Sequence, residues 1–366
     1  PAIPYHKPVE IRLQDNALSP HYYRDNFQRL CDTVESRYGD LLDARERSFL
    51  ASYRSLSFDA QCLYVRLVSR VGPWFRARRL AYPELGQTGP ILGELEKCGM
   101  LEVAENLGVG ELGALYTRDE LVSVLGEHID TSSPVDKPSL LAAIADSALD
   151  DGSTTRLLLD HDDDLVVAPL WRDTVEILQL LFFGNRRQSL TDFVLSELGV
   201  TRYFPYRLDR DFRQFQNREA LEEYLVCAAL SDRWYELREK PDEAALGALV
   251  QALLSMEIAH DSSRGRWDRL CNGVARNLER SGDSPRALAL YAVSSSHPSR
   301  ERRARILEGS GELEAARALC EQIIERCPDC AEAMRLLADA LDATEQADRA
   351  EELRAQHALD LGRQTR

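Results

Sequence analysis

The chain has 366 residues, of which 44% are hydrophobic and 29% charged, proportions that exclude extended disorder and leave room for two or three cores. A formal charge of −16 excludes a uniformly basic, DNA-coating surface, so any contact with phosphate must come from local patches. No stretch approaches the roughly 20 apolar residues that span a bilayer, and the opening Pro1-Ala2-Ile3-Pro4 is proline-broken rather than signal-like, so a cytoplasmic protein with no membrane partner is expected.

Helix is expected over residues 20–60, where Tyr22, Tyr23, Phe27, Leu30 and Val34 recur at three-to-four spacing and Leu41, Phe49 and Leu56 continue the apolar face. A further helix, from Asp59 to Arg70, is stopped by Gly72-Pro73. The segment from Trp74 to Tyr82 reads as a short strand or ribbon, followed by a helix from Pro90 to Cys98 and a brief strand over residues 99–103. Helices joined through a small β-wing suggest a winged helix.

Next come two short amphipathic helices around a loop, the first capped by Thr117 with Glu120 three residues on, the second opening near Lys137 behind Asp136 or Ser139. Together they look like a SAP-type helix–loop–helix. Asp150, Asp151 and the run from Asp160 to Asp164 mark residues 151–170 as an acidic linker, read as a solvated loop rather than a metal site. The near-continuous apolar run from Val175 to Phe183 predicts a buried helix closed by Gly184-Asn185, and another helix follows over residues 190–198.

The last third repeats. Leu278-Glu279-Arg280-Ser281-Gly282-Asp283 aligns with Leu307-Glu308-Gly309-Ser310-Gly311-Glu312, and an alanine- and leucine-rich helix follows each. This packing resembles tetratricopeptide repeats, although the spacing is shorter than the usual period of about 34. Eight cysteines are scattered along the chain, and only Cys327-Pro328-Asp329-Cys330 has ligand-like spacing. With no second pair or nearby histidine it is read as a turn between helices, and no metal ligand or cofactor is assigned to this chain.

The feature that carries a functional reading lies between Ala60 and Pro83, which contains no Asp or Glu but holds Arg66, Arg70, Arg76, Arg78 and Arg79. Arg66 and Arg70 share a helical face, and Arg76 and Arg78 would share one side of an extended strand. Guanidinium forks suit phosphate oxygens. Trp74 could stack on an exposed base, and Lys97 and Lys137 are weaker candidates for the same DNA-binding surface. The alternative is that the arginines pair with carboxylates elsewhere in the fold and that the aromatics are core.

Other chemistries find no support. The four lysines, Lys7, Lys97, Lys137 and Lys240, follow no glycine and have no Asp or Glu two positions before them, which rules out a Walker loop and the Glu-x-Lys half of a restriction-type nuclease site. No His-Glu-x-x-His and no Gly-x-Ser-x-Gly occurs.

Several segments in order, Tyr22-Tyr23-Arg24-Asp25-Asn26-Phe27, Leu63-Tyr64-Val65-Arg66-Leu67, Tyr82-Pro83-Glu84-Leu85, Leu95-Glu96-Lys97-Cys98-Gly99 and Phe182-Phe183-Gly184-Asn185, resemble the N-terminal region of bacterial Fanconi-associated nucleases of the VRR-NUC type. The resemblance implies a DNA-repair role on branched or 5′-flap DNA and interstrand crosslinks. It also implies a phosphodiesterase module, dependent on Mg²⁺ or Mn²⁺, on the C-terminal side. The sequence ends at Arg366 without the Pro-Asp…Glu-x-Lys motif of that module, so no catalytic or metal-ligating residue transfers, and the chain is expected to bind flap DNA without cutting it.

The expected fold is therefore all-α and multi-domain with minor β. Residues 1–105 would form a winged-helix DNA-binding region and 106–150 the SAP-like unit. The acidic linker at 151–170 would lead to a helical linking domain at 171–260 and TPR-like repeats at 261–366. Expected partners are flap DNA and the nuclease module, with self-association left open. The competing reading is a TPR-type protein-interaction scaffold.

Overall fold

In the computed structural model, residues 19–129, 136–147, 149–188, 190, 210–327, 331–343 and 349–355 are described. They are mostly helical and divide into two compact units, 1–214 and 215–366. The fold class agrees with expectation, an all-α, multi-domain chain with a small sheet, whereas the helix expected over 20–60 is broken at 39–43 and 56–57 into separate helices. The expected helix over 190–198 and the turn at 328–330 lie outside the described residues.

The first unit is built on α1 (Tyr22–Tyr38), α2 (Ala44–Ser55) and α3 (Phe58–Val68). Asp43 starts α2 with a capping box: its carboxylate accepts the Glu46 N–H at 2.8 Å, and Glu46 accepts the Asp43 N–H at 3.0 Å. Helix α3 is buried along most of its length, and the rings of Phe27, Phe49, Tyr53 and Tyr64 meet in the core around it, Phe49 stacked on Tyr53 and the other contacts edge-on or tilted. Then come β1 (Phe75–Arg76), α4 (Thr88–Lys97) and β2 (Leu101–Val103).

The wing differs from expectation in two ways. The strand after Gly72-Pro73 is only two residues long, because Ala77–Arg79 tighten into a 3₁₀ turn. The Arg78 N–H turns inward onto Asp164 Oδ1 at 3.0 Å, so Arg76 and Arg78 do not share a strand face. Moreover, β1 and β2 do not pair with each other. Both pair antiparallel with β3 (Val166–Pro169), which lies between them, with Arg76 opposite Val166 and Glu102 opposite Ala168.

Residues 151–170 are therefore no linker. Asp150 caps α8 (Asp151–Asp162) by accepting the Ser153 N–H at 2.8 Å, and acidic residues at a helix start favour the helix dipole. The buried Leu158 and the fully buried β3 supply the apolar drive that the aspartates mask in a charge count. Between β2 and β3 the chain makes α5 (Val109–Leu115), α6 (Arg118–Leu125), α7 (Lys137–Ala145) and α8, which share one core of Leu107, Leu112, Leu121, Leu125, Leu140 and Leu158. The SAP-like helices are thus an insertion inside the winged-helix sheet. The Thr117–Glu120 capping box forms as expected, and Asp136 rather than Ser139 caps α7. Helix α9 (Arg172–Phe183) ends at Gly184 in the left-handed conformation and belongs to the first unit, which splits the expected 171–260 domain.

In the second unit the helices Arg218–Glu239, Glu243–Ser255, Asp261–Arg280 and Ser284–Val293 pack around Trp267, Cys271, Val274, Leu278, Leu290 and Tyr291. Ser299–Gly309, Leu313–Arg326 and Ala331–Ala343 continue the array over a second core that includes Leu319, Ile323, Leu336 and Leu337. The sequence repeat is a repeat of geometry. Gly282 (φ +87°) and Gly311 (φ +81°) follow alternate helices, Asp261–Arg280 and Ser299–Gly309, and the Asp283 and Glu312 N–H groups return to the Leu278 and Leu307 carbonyls, each at 2.9 Å.

The wing, the insertion and β3 meet at Arg76, whose Nε donates to Asp164 Oδ2 at 3.0 Å; the two side chains are 6% and 0% exposed. Because Asp164→Ala would leave a buried guanidinium facing one fewer anion, it should cost about 3–5 kcal/mol in urea unfolding of the chain. Arg79→Ala, at an exposed pair, should cost under about 1 kcal/mol in the same experiment. Equal losses would mean that the buried pair has no special weight.

Candidate nucleic-acid interface

The acid-free span meets acids from elsewhere in the fold, and they claim most of its arginines. Arg66 lies between two tyrosine rings, its guanidinium carbon 4.3 Å from the centre of Tyr23 and 4.4 Å from that of Tyr82, and it pairs with Glu84. Three segments distant in sequence thus close around one cation, and its charge is spent internally. Arg76 is engaged more deeply: besides Asp164 it donates to Glu120 at 2.6 Å, and it stacks 4.3 Å over Tyr116. A buried side chain with two carboxylate partners cannot face phosphate, which corrects the expectation for Arg76. Trp74 is likewise not a base platform. Its indole N–H donates to Glu111 at 2.8 Å and its ring packs against the inserted helical core.

What remains facing solvent is narrower. Arg70 is exposed and donates to the Tyr82 hydroxyl at 3.0 Å, with its guanidinium 5.3 Å from the Phe75 ring centre. Among the described residues it has no carboxylate within ion-pair distance. Arg78 is exposed, with its backbone fixed by Asp164. Arg79 is 55% exposed and makes only a 3.3 Å contact with Glu120. Lys97 is exposed in the last turn of α4, where a cation suits the helix dipole. Lys137 opens α7 and is half-buried. Among the described residues neither lysine has an ion-pair partner, and α4, which carries Lys97, packs against α3.

Arg172, at the start of α9, was missed by the sequence reading. Its guanidinium donates to four backbone carbonyls: Leu67 (3.1 Å), Val68 (3.4 Å), Arg70 (3.4 Å) and Gly72 (2.8 Å). It thereby caps the carbonyl end of α3 and fixes the turn that presents Arg70, with the helix dipole supplying the negative charge that no carboxylate provides. A signal was present in the sequence, since a cation in the first turn of an apolar helix opposes that helix's own dipole and implies a partner elsewhere. The run from Asp160 to Asp164 does not fit a metal ion. Asp164 is consumed by Arg76 and two backbone N–H groups, and Asp163 turns away in the left-handed conformation. Among the described residues no group of three or more His, Cys, Asp or Glu could hold a metal, and no helix is long and apolar enough to cross a membrane.

Comparison with known proteins agrees with this architecture. A family model described as FAN1, HTH domain, matches residues 21–102, and one described as Tetratricopeptide repeat matches 298–340. The Fanconi-associated nuclease 1 homolog of Pseudomonas aeruginosa is 30% identical over 307 residues, which cover 83% of this chain and 53% of that protein. The homolog of Arabidopsis thaliana is 30% identical over 67% of this chain and 29% of its own length. A crystal structure described as paFAN1 bound to 2nt 5′flap DNA with gap superposes with a TM-score of 0.76 at 28% identity, covering 89% of this chain and 59% of that one. The chain therefore spans about half the length of its bacterial relative.

Glu120 connects the interface to solution conditions. Burial opposes its ionisation, but the Thr117 backbone N–H and then Arg76 outweigh burial and hold the carboxyl at about 2. Since this lies below the ordinary value of about 4.3, the ionised form favours folding: its contribution is complete above that value and is lost as pH falls toward 2. Glu120→Gln should be less stable at pH 7 and should lack this part of the acid loss, read from urea midpoints at a series of pH values. Parallel curves for the two proteins would contradict it.

Proposed function

The chain belongs to the Fanconi-associated nuclease 1 family, and from that premise we propose that its first unit docks branched or 5′-flap DNA for a structure-specific repair nuclease. Phosphate contacts come from Arg70, Arg78 and Arg79 around the turn that follows α3, with Lys97 and Lys137 in a weaker role. The observation that carries this reading is Arg70: in a chain of charge −16, it is an exposed cation with no carboxylate beside it among the described residues, on a turn tied down by four hydrogen bonds from Arg172. A bound metal ion can generate the nucleophile that cuts a phosphodiester and stabilise the charge that develops. In this proposal the 5′-flap endonuclease and 5′-exonuclease chemistry, with its Mg²⁺ or Mn²⁺, resides in a nuclease module outside this chain, and the chain alone binds DNA without cutting it.

A second reading, a protein-interaction scaffold, is favoured by a hollow of about 290 Å³ in the second unit, lined by Asn272, Arg276, Tyr291, Pro298 and Arg302. Among the described residues the buried Asn272 Oδ1 has no hydrogen-bond partner.

Fluorescence anisotropy with a labelled 5′-flap duplex separates the two readings. Docking predicts binding that weakens with salt, because each phosphate contact releases counterions. Arg70→Ala should lower the slope of log K against log salt by about 1, and the triple change with Arg78→Ala and Arg79→Ala should lower it by up to about 3. No salt-sensitive binding at low ionic strength would leave the scaffold as the better reading. Incubation with Mn²⁺ should leave the flap uncut, and cleavage by the isolated chain would overturn the division of labour.

A further inference from the structure

The turn at 69–73 presents more than a cation. Val71, at its tip, is 101% exposed, so its side chain packs on nothing among the described residues. Singly exposed apolar residues are ordinary on protein surfaces, and exposure alone carries no meaning. Three features set this one apart. Turn tips favour Gly, Pro, Asn, Asp and Ser, so a β-branched apolar residue runs against local preference. The turn is fixed from both ends: Gly72 takes φ +104°, a conformation open to glycine but strained for other residues, and the fork of Arg172 binds the carbonyls on both sides of Val71 at once. Finally, the flanking cation, Arg70, is held by the Tyr82 hydroxyl and lies over Phe75, beside the tip.

Resting on the DNA-docking reading, we propose that this turn is a preformed wedge: Val71 packs on the face of the terminal base pair laid bare where a duplex is interrupted, while Arg70 holds the adjoining phosphate. At a flap or gap that base-pair face is already open on one side, so the tip can cover it without unstacking. In a continuous duplex the same insertion must first separate two stacked pairs, which costs a few kcal/mol per step. The wedge therefore selects interrupted over continuous DNA without reading any base. Arg172 acts as a positioning residue, because a turn that had to be ordered on binding would lose part of the gain to conformational entropy.

The test uses the whole chain with two labelled DNAs of one sequence, a gapped 5′-flap duplex and a continuous duplex. The flap DNA carries 2-aminopurine in the terminal base pair. Val71→Ser removes the apolar tip at a site that packs on nothing among the described residues, so its thermal midpoint should match the wild type. Its flap affinity should fall about 10-fold, as expected for losing one buried valine, with less than about a 2-fold change on continuous duplex. Wild-type binding should change the 2-aminopurine emission, and Val71→Ser should not. Arg172→Lys, whose ammonium cannot span four carbonyls, should lose the same preference with Val71 intact. If Val71→Ser keeps both the flap preference and the emission change while salt-sensitive binding persists, the wedge is wrong and docking stands. If the wild-type chain binds neither DNA, the wedge and the docking reading fail together.

Discussion

The first unit depends on the burial of one guanidinium. Arg76 sits on the shortest strand of the sheet, yet its partners come from the insertion and its far end, Glu120 at the head of α6 and Asp164 just before β3. A buried cation is unfavourable unless its anions are held in place, and here both are. Asp164 also accepts the Arg78 and Leu165 N–H groups, and Glu120 is locked by the Thr117 cap. Wing, central strand and inserted helices are thereby fixed to one another by a single planar group, and the two-residue β1 needs no further length to stay in register.

The same economy governs the other arginines. Arg66 draws together Tyr23, Tyr82 and Glu84, and Arg172 gathers the end of α3. Arginine suits these tasks because its flat fork can stack on rings and bind several oxygens simultaneously. The consequence for recognition is a small exposed basic set, carried on a backbone that the buried set holds rigid.

Much of the fold was legible in the sequence. The helices of the first unit follow from apolar spacing and from the Thr117 cap, although the Asp43 cap that separates α2 from α1 was not read, and the Ser-Gly pairs at 281–282 and 310–311 announced the repeating turns. The sheet was not legible, because β3 is a four-residue apolar segment hidden behind a run of aspartates, and its pairing with β1 and β2 is set by tertiary contact alone. The span from Arg66 to Arg79 holds no acid of its own, but that local absence says nothing about acid brought in from positions 84, 111, 120 and 164. The segments Tyr22-Tyr23 and Tyr82-Pro83-Glu84, on which the family resemblance was read, supply Tyr23, Tyr82 and Glu84 to one contact around Arg66.

The placement of β3 also orders events in time. During synthesis β1 and β2 emerge early, yet neither can pair until the segment at 166–169 appears, more than 60 residues after β2. At about 5–20 residues per second that is an interval of several seconds. The inserted helices, whose contacts are mostly local, have that interval in which to assemble, and in doing so they bring residues 104 and 166 close together. The insertion is thus the device that shortens the loop its own sheet must close.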